Sequence, residues 1–346
     1  MEIKQISASR IKTYEHCQFK YVLNYMLYEC HACKETFYTP EMSDKACPYC
    51  KSTDYSKPEL STNWGAVHGS ALHEVMENYA IGTRGTHESG AVVLKDEKKE
   101  LLDWRKGVAN AYKRNAKGFA IWDIAKVKDT EAVSKWCKCC KSDPKGLCEI
   151  TGEVMTKNCP RALYLESLEL VEKYLNRYEN IFKNRKILGI EKAFTIDFGE
   201  KDQLGNPIIS GGFMDLVTEL DEDTIEVIDY KFGSWVPDFE EFSDDTQVKL
   251  YSLAARTVFP QYKEVIVTFD YIRKNPMSIG FTAEDDEATK QEVIKHWKRI
   301  VEPQTIRRTI VDGDGCTPSS SWKCKVMCDA KVCMREWPKF KEKFNA

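Results

Sequence analysis

The sequence predicts an α+β fold, a mixed sheet with helices packed against it, and three observations carry that prediction. Strand-like runs follow one another at 189–198, 208–218 and 224–231, separated by turns at Gly205-Asn206-Pro207 and Asp221-Glu222-Asp223, which suits an antiparallel meander. Helical periodicities flank the runs, at 162–184 before them and at 244–257 and 284–301 after them. A further strand at 264–272 falls between the last two helices, so the core reads helix, three strands, helix, strand. The 346 residues, 42% apolar and 11% aromatic, suffice for two domains or for one carrying large insertions.

The elements can be taken in order. Ser7 can cap a helix whose apolar positions Ile11, Tyr14, Val22 and Tyr25 share a helical period; it runs to about Leu27 with Cys17 inside it, and 1–29 form the first segment. Residues 30–61 are rich in Pro, Lys and Asp, hold too little apolar content for a core of their own and need a metal. A helix at 66–81, with Val67, Leu72, Val75, Met76 and Tyr79 on its apolar side, occupies the segment 62–83. Residues 84–161 combine a Gly-rich link, a charged helix near 95–116 and a cysteine-rich stretch, which marks an insertion. The core spans 162–302, opening on a helix with Leu165, Leu168, Val171, Leu175 and Tyr178 along one side, and 303–346 form a C-terminal segment. No internal repeat or low-complexity tract occurs.

Composition narrows the function. With 51 Lys+Arg against 54 Asp+Glu, the net charge of -3 excludes a strongly basic coat, so nucleic-acid affinity must come from a local patch or a bound cation. No apolar run is long enough for a membrane span, and Met1 to Arg10 are polar, without the apolar core of a secretory signal. A cytoplasmic protein without a membrane partner is expected. In that compartment thiols stay reduced, so 14 cysteines argue for metal or cluster ligation rather than disulfides.

The informative residues are Asp215, Asp229 and Lys231. Asp215 ends an apolar strand just after Gly211-Gly212, and Asp229 sits within Ile225 to Tyr230, where burying a carboxylate is costly unless a cation or hydrogen bonds compensate it. Asp229 and Lys231, two apart on a strand, point to one face, and pairing of the second and third strands lets Asp215 join them. Converging carboxylates repel unless a divalent cation lies between them, and oxygen ligands suit Mg²⁺ or Mn²⁺. The other reading of the same residues is a plain strand ion pair, with Asp215 capping a turn.

The run GGFMDLV followed by IEVIDYKFG resembles the motif pair of the PD-(D/E)xK nuclease superfamily, in which an Asp ends one strand and Asp-x-Lys ends the next. Gln247 and Tyr251 in QVKLYSLAA are similar to the Q-x-x-x-Y signature of its RecB-like exonuclease branch, and His73 in HGSALHEVME to that branch's upstream histidine. Glu191 sits where some relatives carry a strand glutamate. The resemblance covers 6–28, 64–80, 188–273 and 316–337. It implies a restriction-endonuclease-like core in which His73, Asp215 and Asp229 hold the metal with the Tyr230 carbonyl as a further ligand, Lys231 is catalytic, and Gln247 and Tyr251 line the DNA path.

Twelve of the 14 cysteines fall into three groups. Cys30-x2-Cys33 and Cys47-x2-Cys50 form a zinc-ribbon signature, two knuckles whose four thiolates leave no open position for catalysis. Cys137, Cys140, Cys148 and Cys159 could hold another Zn²⁺; Lys135, Lys138, Lys141 and Lys145 interleave with them around Trp136, as either a nucleic-acid surface or a solvated loop. Cys17 with Cys324, Cys328 and Cys333 resembles the layout in which AddB-type and CRISPR-associated relatives pin their termini with a 4Fe-4S cluster. The spacing here is C-x3-C-x4-C where the family shows C-x2-C-x5-C, so zinc and inert buried thiols stay open beside a cluster.

Together these residues point to a Mg²⁺- or Mn²⁺-dependent DNA nuclease, an exonuclease acting on DNA ends, single-stranded DNA above all, in recombination, repair or phage DNA metabolism. No P-loop is present, so unwinding would need a separate helicase or recombination partner. The alternative is a non-catalytic DNA- or protein-binding module on the same fold, against which the intact Asp, Asp-x-Lys set argues.

Overall fold

The computed structural model describes residues 5–25, 27–34, 36–38, 46–47, 49–56, 64–84, 108, 111, 160–203 and 205–302. A two-residue strand β1 (Gln5–Ile6) leads into helix α1 (Ala8–His16), capped by Ser7, whose Oγ accepts from the Arg10 amide at 3.4 Å. The single helix expected here is two, because Cys17 takes up extended backbone after α1 and α2 (Gln18–Tyr25) restarts beyond it. Strands β2 (Leu27–Cys30), β3 (Thr36–Tyr38) and β4 (Tyr55–Ser56) then form a small antiparallel sheet in the order β3-β2-β4. Helix α3 (Trp64–Arg84) extends the predicted one at both ends, and α4 (Pro160–Asn184) opens on a proline, where a missing N–H costs no intrahelical bond.

The meander follows as β5 (Ile187–Lys201), β6 (Pro207–Glu219) and β7 (Thr224–Lys231), paired antiparallel in sequence. Its first turn uses Gly205 at φ +81°, open to glycine at no steric cost, and its second ties Asp221 Oδ1 to the Asp223 amide at 2.9 Å. A short α5 (Phe239–Ser243) and α6 (Thr246–Val258) cross over to β8 (Glu264–Tyr271), which pairs parallel to β7. Strand β9 (Pro276–Phe281) adds an antiparallel edge, and α7 (Glu284–Ile300) follows, with four acidic residues in its first turn and Lys298 and Arg299 in its last, complementing the helix dipole.

One edge of β6 is divided between two partners. β1 pairs parallel to it at Ile209 and Ser210, β7 pairs antiparallel at Leu216 to Glu219, and β5 runs along the opposite edge. Between Ser210 and Leu216 that shared edge has no strand partner among the described residues, so the sheet opens where Asp215 stands.

The core lies on both faces of the sheet. Val217, Val227, Val267 and Phe269 pack under α1, α6 and α7 against Ile11, Val248, Leu253 and Trp297. Leu216, Ile228 and Tyr230 pack on the other face against α3 and α4 through Leu72, Met76, Val171, Tyr174 and Phe182. Central strands buried on both faces read as continuous apolar runs, which is why they were visible in the sequence. Among the described residues no helix is long and apolar enough to cross a membrane.

Candidate active site

The site starts where β6 and β7 part. Leu216 pairs with Ile228 at the last rung, and the next position on each strand is an aspartate, Asp215 and Asp229. With the ladder ended, Asp215 Oδ2 accepts from the Tyr230 amide at 2.8 Å, so a side chain satisfies a donor that a strand would otherwise take. Helix α3 brings His73 Nδ1 to 3.4 Å from the same oxygen. On β5, Glu191 falls opposite Asp215 between the pairs Ile190–Leu216 and Lys192–Met214, with φ at +45°, a conformation rare for a residue bearing a side chain. His73, Glu191 and Asp215 each present one ligand atom within 4.8 Å of the others.

The electrostatics of this cluster call for a cation. Burial drives the Asp215 carboxyl well above the usual carboxylate range, helped by the charges of Asp229 and Glu191 and opposed by the Tyr230 amide and Lys231. Glu191 is raised by burial and by the charges of Glu77 and Asp229. Burial lowers His73, with Lys231 adding to the effect and Asp229 and the Tyr230 carbonyl opposing it, so the ring is a neutral donor. One imidazole nitrogen and clustered carboxylate oxygens, mutually repelling when empty of charge compensation, fit a divalent ion of the Mg²⁺ or Mn²⁺ kind.

Asp229 lies beside this set rather than within the three-residue group, in a network of its own. Its Oδ1 accepts from Gln247 Nε2 at 3.0 Å and from Tyr251 OH at 3.0 Å, and Gln247 Nε2 is 2.9 Å from that same hydroxyl. Among the described residues no hydrogen bond reaches the buried Oδ2, whose contact is the Lys231 ammonium at 2.6 Å. Lys231 also donates to Gln247 Oε1 at 3.0 Å and lies 4.2 Å from the centroid of the Phe269 ring. Tyr251 is buried, its hydroxyl pushed well above its ordinary value by burial and by the charges of Asp229 and Asp215. Gln247, expected on the DNA path with Tyr251, therefore contacts both the carboxylate and the lysine, and Tyr251 contacts the carboxylate.

Glu77, one turn beyond His73 in α3, was not singled out in the sequence although its i,i+4 spacing from the histidine places both on one helix face. Two large aromatics close in sequence to the aspartates and lysine are exposed: Phe213, two residues before Asp215, at 59%, and Trp235, four after Lys231, at 69%.

The thiols of the small sheet converge as their spacing predicted. Cys30 and Cys50 sulfurs are 3.5 Å apart and those of Cys33 and Cys47 3.6 Å, with all four within 4.8 Å. A tetrahedron with Zn–S bonds of about 2.3 Å has edges of roughly 3.8 Å, so the four sulfurs fit Zn²⁺. Both knuckles share one shape: Lys34 and Lys51 follow their cysteine pairs at φ +63° and +62°, and their amides donate to the Cys30 and Cys47 carbonyls at 3.0 and 2.9 Å. The Cys33 backbone amide, the main cause, lowers the Cys30 thiol to about 6, toward the thiolate a metal needs. Cys17, at the start of α2, accepts from the Lys20 amide at 3.4 Å. Cys137, Cys140, Cys148, Cys159, Cys324, Cys328 and Cys333 lie outside the described residues.

Comparison with known proteins adds the family. The chain is similar to a crystal structure of a candidate exonuclease from Eubacterium rectale, at 13% identity over 72% of this chain and 87% of that one, with a TM-score of 0.28. It is also similar to the crystal structure of SSO0001, at 14% identity over 77% of this chain and 95% of that one, with a TM-score of 0.30. No curated protein matches the sequence. A sequence profile of the PD-(D/E)XK nuclease superfamily matches residues 5–333, nearly the whole chain, and with its paired aspartates and Asp-x-Lys lysine the chain belongs to that superfamily of metal-dependent nucleases.

Proposed function

We propose that this nuclease is a RecB-like exonuclease that hydrolyses phosphodiester bonds at DNA ends, single-stranded DNA being its substrate. The observation that carries the reading is the convergence of His73, Glu191 and Asp215 beside the Asp229–Lys231 pair, in the opening between β6 and β7. His73, Asp215 and Asp229, with Glu191 beside them and the Tyr230 carbonyl as a further ligand, would hold Mg²⁺ or Mn²⁺, which supplies charge stabilisation at the phosphate and a more acidic water. Lys231 would hold its ammonium against the developing phosphorane charge or the attacking water, within reach of the carboxylate it pairs with. His73, kept neutral by burial, offers its lone pair without competing as a cation. The exposed rings of Phe213 and Trp235 support a single-stranded substrate, since unpaired bases stack on aromatic faces without sequence preference.

The rest of the assignment follows the same branch. Cys30, Cys33, Cys47 and Cys50 would fold the 30–61 segment around Zn²⁺, and Cys17 with Cys324, Cys328 and Cys333 would join the 1–29 and 303–346 segments through a 4Fe-4S cluster. Its place at the start of α2, accepting an amide hydrogen bond, suits Cys17 to that role. Cys137, Cys140, Cys148 and Cys159 would bind a second Zn²⁺ in the 84–161 insertion, with 62–83 and 162–302 forming the nuclease core. The protein would work in the cytoplasm of a prokaryotic or phage-infected cell, beside a helicase or recombination partner.

An anaerobic preparation, analysed for iron, sulfide and zinc and incubated with 5′- and 3′-labelled linear and circular DNA, tests this. Metal-dependent degradation of linear single strands, sparing circles and abolished by Asp229→Ala, is expected. Equal cleavage of circles would overturn the exonuclease assignment, and inactivity with both Mg²⁺ and Mn²⁺ would overturn the whole reading.

A further inference from the structure

The Q-x-x-x-Y pair has geometry that a DNA-lining role does not account for. One carboxamide spans both halves of the Asp229–Lys231 pair: Gln247 Nε2 donates to Asp229 Oδ1 at 3.0 Å while its Oε1 accepts from Lys231 Nζ at 3.0 Å. Rotating the amide by half a turn would set oxygen against carboxylate and nitrogen against ammonium, so the surroundings fix its orientation. Asn would be one methylene short, and Glu or Lys would repel one of the two partners. Tyr251, one helical turn on, adds a second donor to the same Oδ1 at 3.0 Å and is itself 2.9 Å from Gln247 Nε2. The tyrosine ring is held in turn by Phe194, edge-on at 6.2 Å, and the lysine by the Phe269 face at 4.2 Å. Both oxygens of the carboxylate are thus distinguished: among the described residues, Oδ1 accepts two hydrogen bonds from α6, while no hydrogen bond reaches Oδ2, which lies 2.6 Å from the Lys231 ammonium.

We infer that Gln247 and Tyr251 are positioning residues, which lock Asp229 through Oδ1 so that Oδ2 is the oxygen offered to the divalent ion, and which set the Lys231 ammonium at a fixed distance from it. Groups that orient a ligating carboxylate are worth about 10- to 100-fold in metal affinity or activity. The inference rests on the reading of Asp229 as a ligand in a nuclease site, and its test separates the two. Mn²⁺ binding is titrated by calorimetry in the absence of DNA for the wild type, Tyr251→Phe and Gln247→Leu. Affinity for a fluorescent single-stranded oligonucleotide is measured on the same proteins with Ca²⁺ in place of the catalytic metal, and cleavage rates are followed against Mn²⁺ concentration.

Both variants are expected to weaken Mn²⁺ binding about 10-fold or more, to keep oligonucleotide affinity within about twofold, and to recover part of their rate at saturating Mn²⁺. A 10-fold loss of oligonucleotide affinity with Mn²⁺ binding unchanged would overturn the inference in favour of a DNA-lining role. Equal Mn²⁺ binding by all three proteins would overturn it too, while leaving the nuclease reading intact; a wild type that binds no Mn²⁺ would remove the metal site on which both depend. Tyr251→Phe deletes a single oxygen and keeps the ring on Phe194, so the test survives if Gln247→Leu fails to fold.

Discussion

Asp215 is buried beside a second carboxylate, Asp229, and its folded-state carboxyl is raised well above the ordinary value, by burial first and by that neighbouring charge second. A group raised in this way binds its proton more tightly folded than unfolded, so it stabilises the metal-free protein at low pH and the benefit is lost as pH rises through the folded value. At neutral pH Asp215→Asn should therefore raise the metal-free melting temperature by about 2–5 °C while removing the further rise that Mg²⁺ gives the wild type, as thermal scans with EDTA and with Mg²⁺ would read. A variant that melts below wild type in EDTA would contradict the electrostatic account. Glu191 is strained in a different way, by φ +45° in the middle of a strand. Glycine tolerates that conformation and alanine does not, so Glu191→Gly should exceed Glu191→Ala in stability by about 1 kcal/mol in urea titrations. Equal stabilities would mean the backbone relaxes when the carboxylate leaves.

Helices α3 and α4 are joined to the β8–β9 turn by a buried histidine. His68 Nε2 accepts from Arg273 Nη2 at 3.3 Å, which fixes the proton on Nδ1, 3.2 Å from Ser167 Oγ; Arg273 in turn pairs with Glu166 and donates from Nε to the Phe232 carbonyl at 2.8 Å. Burial first, and the Arg273 charge second, lower His68 to about 4, so the folded protein keeps this ring neutral while the unfolded chain protonates it. Stability from this group is present above about 6.5 and is lost as pH falls toward 4, a change on the order of 3 kcal/mol if the full shift is realised. Urea titrations from pH 7 to pH 4 should show this decline, and His68→Gln should flatten it; an unchanged slope would place the acid sensitivity elsewhere. Sequence made the elements around this joint legible because their apolar periods are strong, and it located Asp215, Asp229 and Lys231 because charges inside apolar strands are conspicuous. It missed β9, whose outward residues are exposed and whose start is a proline, and the break at Cys17, which no glycine or proline marks. The i,i+4 spacing of Gln247 and Tyr251 shows that they share a helix face but not what that face meets, so their grip on Asp229 was beyond reach of sequence alone.

At the scale of the whole molecule, ligand binding is a further external lever on stability. A divalent ion that binds only the folded site at 100 times its dissociation constant should add about 2.7 kcal/mol, and Asp229→Ala should abolish most of it. Equal Mg²⁺-dependent shifts in wild type and Asp229→Ala would locate the stabilising ion away from this site. The divided edge of β6 bears on how the chain comes to fold. β1 joins the sheet through a partner 204 residues downstream, where Ser210 Oγ donates to the Ile6 carbonyl at 2.9 Å. At translation rates of about 5–20 residues per second, Ile6 and Ile11, both fully buried in the finished protein, are synthesised some 10–40 s before β6 exists to receive them. Such long-range closure is slow in refolding as well. The first helix and strand thus wait undocked until β6 emerges, and for that interval the growing chain carries an apolar N-terminal segment that chaperones can hold.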